Sequence, residues 1–145
     1  MTGLFGNMVQ RLHSLNKDLG ILLLRLGFGA AMMVHGIQKL NKFAELSGSF
    51  PDPMGVGSYA SLCLAIFSEL VCSILLMLGL LTPFALVPLI ITMIVAMFII
   101  HGQDPWGKKE LAFLYLASYL ALLFIGPGRY SLDQKLFGGN SEASG

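Results

Sequence analysis

Four long apolar runs, at about 19–37, 59–81, 83–100 and 110–126, leave this chain few ways to fold. Crossing a hydrocarbon core of ~30 Å takes about 20 helical residues. The first three runs meet that length, and the fourth meets it once Glu110 is counted as its first helical turn. None alternates polar with apolar residues as barrel strands do, so each is a helix that satisfies its own backbone in lipid. Charged residues are only 12% of the chain, about half the share of a soluble globular domain. The expected fold is therefore all-α: one integral membrane four-helix bundle spanning residues 1–145, with a long first loop and a short C-terminal interfacial helix. A net charge of +1 argues against nucleic acid as a partner, because phosphate binding needs a basic surface.

The connections differ in kind. Residues 38–58 (QKLNKFAELSGSFPDPMGVGS) form the long loop, whose opening QKLNKFAEL reads as a short interfacial helix ended by Ser47 and Gly48. Gly79 to Pro83 is a tight turn, with Thr82 placed to cap the third helix and Pro83 at its first position. Pro88 interrupts the third span, and Trp106 in the third connection suits an interfacial anchor. After the fourth span, GPG stops the helix and Ser131 caps a short amphipathic helix at 131–137. Cys63 and Cys72 are nine residues apart, too far along one helix to bridge, and read as small buried apolar residues.

Four spans put both termini on one side of the membrane. Positive-inside counting ties, with Arg11, Lys17, Arg129 and Lys135 on the terminal side against Lys39, Lys42, Lys108 and Lys109 on the loop side. The amphipathic stretch before the first span tips the reading toward cytoplasmic termini.

The polar residues inside these runs call for partners. Arg25 lies twelve residues from Ile37, and Glu69 ten residues from Tyr59. If both spans end level on the loop side, the two charges sit about 18 and 15 Å deep. An unpaired charge at such depth costs roughly 2.5–3.5 kcal/mol, so an Arg25–Glu69 ion pair is expected. His35 and Lys39 share one face of the first helix; His101 ends the third span and Glu110 opens the fourth. Together with Tyr119 on the fourth span, Arg25, His35, Lys39, Glu69, His101 and Glu110 are the candidate ligand-binding residues. No catalytic residue and no metal ligand set is identified.

The joint pattern R-x(9)-H-G-x-x-K from Arg25 to Lys39, a Glu in ELVCSILLMLGLLTPFA, and GPGRYSLD at 126–133 resembles the DoxX family of small four-span bacterial membrane proteins. The resemblance implies a bacterial inner-membrane bundle associated with redox chemistry: a relative, DoxD, is linked to thiosulfate:quinone oxidation, and members are proposed to partner oxidoreductases. Neither a haem-ligand pair, a flavin fingerprint nor an iron–sulfur cysteine set is present in the sequence. A non-covalently bound quinone is the carrier left open. Residues and resemblance together admit three functions: a quinone- or small-anion-binding subunit of a redox system, a scaffold recruiting a partner oxidoreductase, or a small proton-linked transporter. The bilayer, a partner oxidoreductase and further copies of the chain are the partners these readings allow.

Overall fold

Lipid cannot hydrogen-bond a bare backbone, and every regular element between residues 2 and 138, which the computed structural model describes, is accordingly helical. The order is α1 (Thr2–Asn41), α2 (Phe43–Leu46), α3 (Ser58–Leu78), α4 (Thr82–Ile100), α5 (Trp106–Ile125) and α6 (Leu132–Phe137). Three stretches, Gly3–Asn41, Ser58–Leu78 and Thr82–Ile100, are long and apolar enough to cross a membrane. At 20 residues α5 is also about 30 Å long, and it carries Lys108, Lys109 and Glu110 near its start. Phe84, Phe98 and Phe124 are 75%, 63% and 84% exposed on the outside of the bundle. Apolar surface on that scale belongs against lipid.

The core is made by α1, α3, α4 and α5, with Met32, Leu76, Leu86, Leu89, Tyr119 and Leu122 buried between them. Cys72 is buried there, whereas Cys63, expected to be buried, is exposed; both thiols are free. The first helix begins well before residue 19 and continues to Asn41. Of the expected long loop, residues 38–41 continue α1, Phe43–Leu46 forms a separate helical turn, and Ser58 already opens α3.

Two stretches depart from α-helical winding. Phe67–Cys72 in α3 and Val95–Ile100 in α4 are π-helical. Such wide turns insert one extra residue and recur at functional sites. At the first of them α1 presses against the backbone of α3. A Cβ on Gly36 would lie 2.8 Å from the Leu70 nitrogen and 2.9 Å from the Glu69 carbonyl carbon. Backbone cannot yield as a side chain can, so only glycine fits. Gly36→Ala should prise α1 from α3 and cost about 1–3 kcal/mol, whereas Gly27→Ala, with nothing within 4 Å of the added carbon, should be neutral or better. Thermal unfolding of the two variants in the same detergent checks this contrast.

Candidate functional site

Gly36 against Glu69 and Leu70 sets the register of α1 on α3, and that register decides which charges meet. Arg25 lies eleven residues before Gly36, about 16 Å further down α1, beside the end of α3 rather than its middle. The expected Arg25–Glu69 pair does not form. Lys39 takes its place, with its Nζ donating to Glu69 Oε2 at 2.6 Å. The two spans do not end level, because the first turns of α3 rise beyond the end of α1, where Tyr59 packs edge-on against Phe43 of α2 at 5.5 Å. Lys39 is one turn from Gly36 on the same face, and its long stem spans the remaining gap.

Arg25 is fully buried and serves main-chain carbonyls. Its Nε donates to Leu76 O at 3.0 Å and Nη2 to Met77 O at 2.8 Å, both in the last turn of α3. Nη1 donates to Pro127 O and Tyr130 O, each at 2.9 Å, in the segment after α5. A cation at a helix C-terminus meets the negative end of the dipole and carbonyls that lack intrahelical donors. Gly79 closes that helix with φ +64° and leaves room for the guanidinium, since a Cβ would lie 2.5 Å from Nη2. The adjoining GPGRYSLD segment completes the clasp. Ser131 Oγ accepts from Gln134 N at 3.1 Å, capping α6 as expected, and donates to Gly128 O at 2.7 Å. Asp133 accepts from Leu81 N at 2.7 Å and Thr82 N at 2.8 Å. Thus α4 is capped by a distant aspartate and not by the Thr82 side chain. Burial raises the Asp133 carboxyl, but the Thr82 and Leu81 hydrogen bonds and the Arg25 charge outweigh it and hold it below the usual carboxylate range.

The other polar residues divide. Lys39, Glu69 and His101 line a cavity of about 540 Å³ between α3 and α4 on the loop side. Ser68 and Thr92 meet at its wall, with Thr92 Oγ1 2.8 Å from Ser68 Oγ and 2.8 Å from Pro88 O. Both π-helical turns contribute lining, Ser68 and Glu69 from one and Val95, Ala96 and Ile100 from the other. Phe50, Pro51, Pro53 and Met54 of the long loop form a partial cover over the cavity, which stays partly open. Asp52, in the middle of that cover, accepts from Val56 N at 3.0 Å, Gly57 N at 2.7 Å and Ser61 Oγ at 2.8 Å. These bonds tie the cover to the start of α3, and the Ser61 hydroxyl foremost holds the Asp52 carboxyl low. At the rim His101 Nδ1 is 2.7 Å from Asp104 Oδ2, a contact that lowers the Asp104 carboxyl.

His35, Tyr119 and Glu110 stand outside this cavity. The His35 ring packs edge-on to Tyr115 with centroids 6.3 Å apart, and Tyr115 lies 5.8 Å from Tyr119. Tyr119 is fully buried, its hydroxyl 3.5 Å from Phe28 O, and Glu110 is exposed. Ser68, Thr92 and the Phe50–Met54 cover were missed from sequence, where a Ser or Thr in a span carries no distinguishing mark.

A lipid-facing helix bundle tied by a buried arginine, with a partly open apolar cavity beside a lysine–glutamate pair, defines a small polytopic membrane protein. The sequence profile of the DoxX family matches residues 20–102, and the chain belongs to that family. An uncharacterised membrane protein of Mycobacterium tuberculosis is 31% identical over 139 residues, covering 80% of each chain. An uncharacterised protein of Haemophilus influenzae is 28% identical over 131 residues, covering 85% of this chain and 87% of its own. No solved structure matches the chain.

Proposed function

We propose that this DoxX-family protein is a quinone-binding subunit of a membrane redox system. It spans the bacterial inner membrane four times, α5 being the fourth span, with both termini in the cytoplasm, and a partner oxidoreductase supplies the second redox centre. The observation that carries the reading is the loop-side cavity. Its volume of about 540 Å³ falls in the range of small-molecule sites, roughly 300–1,000 Å³. Leu64, Ile91 and Val95 give it walls that suit an isoprenoid tail. Lys39, Glu69 and His101 form a polar edge that suits ring carbonyl or hydroxyl oxygens.

A small anion fits the same surroundings less well. The Lys39 charge is already balanced by Glu69 at 2.6 Å, and displacing that pair for a free anion would leave a buried carboxylate alone. A neutral ring can take a hydrogen bond from the ammonium while the pair stays intact. Bound quinone would supply two-electron redox chemistry; the chain's own part is to hold the ring and keep a proton-bearing pair beside it.

A short-chain quinone at saturating concentration should raise the thermal midpoint of the detergent-purified protein. Stabilisation of about 2.7 kcal/mol is expected at a hundred times the dissociation constant. A saturated analogue with the same tail and no ring oxygens should give no shift, and Ala65→Phe, which fills the cavity, should abolish the response. Equal stabilisation by the tail alone would refute the proposal.

A further inference from the structure

We infer that the loop-side cavity takes its ligand in the reduced, hydroquinone form, in preference to the oxidised quinone. The inference rests on the quinone reading above and concerns which redox form the polar edge selects.

Free hydrogen-bonding capacity at that edge is unequal. Lys39 is its donor, an ammonium with three N–H groups, one of them spent on Glu69 Oε2. The neighbouring groups offer lone pairs instead. The Glu69 side chain is only 7% exposed, yet its second oxygen, Oε1, has no partner among the described residues. Among those residues, the buried side-chain atoms sealed off without a partner are Ser73 Oγ and Thr82 Oγ1. Glu69 Oε1 is not one of them; it stays open beside the cavity that Glu69 lines.

Ser68 has no proton to give. Thr92 Oγ1 lies 2.8 Å from Pro88 O and 2.8 Å from Ser68 Oγ, and each contact needs a proton. The carbonyl has none, so the Thr92 proton goes to Pro88 O and the Ser68 proton to Thr92. Lone pairs are what Ser68 has left. His101 follows the same pattern. Its Nδ1 is 2.7 Å from Asp104 Oδ2, and that carboxyl, held low foremost by this contact, is ionised at neutral pH. Nδ1 therefore carries a proton, and in the neutral imidazole Nε2 is an acceptor.

A quinone carbonyl can only accept. It can take a hydrogen bond from Lys39, but it leaves Glu69 Oε1, a buried carboxylate oxygen, without a donor. A hydroquinone hydroxyl accepts from Lys39 and also donates to the edge. Acceptors left bare in a buried site are the reason a pocket built around an O–H rejects the analogue that lacks it. The reduced form should bind at least about tenfold tighter. Each tenfold lifts the midpoint potential of the bound couple by about 30 mV.

The test is anaerobic calorimetric titration of the full chain in detergent with a short-chain benzoquinone, its hydroquinone and the hydroquinone dimethyl ether. The ether keeps the ring and the acceptor oxygens but has no O–H. Hydroquinone should bind about tenfold tighter than quinone or more, and the ether no tighter than quinone. Glu69→Gln should remove the preference, because Lys39 then holds the amide oxygen and an NH2 donor stands in place of Oε1. Ser68→Ala, which deletes one acceptor, should reduce the preference partway and serves if Glu69→Gln does not fold. Quinone binding as tightly as hydroquinone, an ether that matches hydroquinone, or a preference unchanged in folded Glu69→Gln would overturn the inference while leaving the cavity a quinone site. Absence of binding by either redox form would defeat the quinone reading and this inference together.

Discussion

Replacing Arg25 with alanine should cost more than any other single change in this protein. Four main-chain carbonyls from two separate segments depend on one guanidinium, and hydrogen bonds from a charged donor are worth about 1.5–3 kcal/mol each. Not all of that is lost, because water can enter at the bundle end. A net loss on the order of 4–5 kcal/mol is still expected, at the upper limit of single substitutions. The thermal midpoint in detergent should fall by more than about 10 °C. Arg25→Lys should rescue little, since an ammonium has no planar fork to serve carbonyls on opposite sides. If Arg25→Lys restored full stability, the cation alone would be acting, through the helix dipole.

The second large effect is expected at the other end of the bundle. The Glu69 side chain is only 7% exposed and Lys39 is its ion-pair partner. Lys39→Ala leaves a buried carboxylate alone, which costs about 3–5 kcal/mol. Adding Glu69→Gln removes the stranded charge and should recover most of that loss. This non-additivity separates a true pair from two independent contributors. Thermal unfolding of the two single variants and the double variant closes the cycle. A double variant as unstable as the sum of the singles would contradict the pairing.

These two residues also show where reading the sequence succeeds and where it stops. Run length and charge placed the apolar helices, because lipid allows no other use for such segments. The same logic required a partner for each buried charge. Pairing Arg25 with Glu69 was an error of register: similar distances from the span ends meant similar depth only if the ends were level. The contact of Gly36 with the π-helical turn at Glu69 and Leu70 sets the offset, and a π-turn leaves no periodic trace in sequence. His101 was placed on the loop side by counting, and it lines the cavity with Lys39 and Glu69. The GPGRYSLD motif was legible as a helix stop and a cap. That its carbonyls receive Arg25 while Asp133 caps α4 depends on two segments about fifty residues apart meeting at Gly79. The Phe50–Met54 cover was hidden in a Pro- and Gly-rich loop, because its position depends on Asp52 reaching the start of α3.

The clasp around Arg25 and the cavity around Lys39 occupy opposite ends of the bundle, so they can be tested apart. Arg25 variants should change stability without changing ligand selectivity. Ala65→Phe should do the reverse. The most direct test of the proposed function is mass spectrometry of quinones retained when the protein is extracted from bacterial membranes in polymer-bounded lipid discs. The unaltered protein should hold quinone near one molecule per chain, well above its share of the surrounding lipid, and folded Ala65→Phe should hold only the bulk share. Quinone at the bulk level in both, or equal enrichment in both, would contradict the cavity as a quinone site.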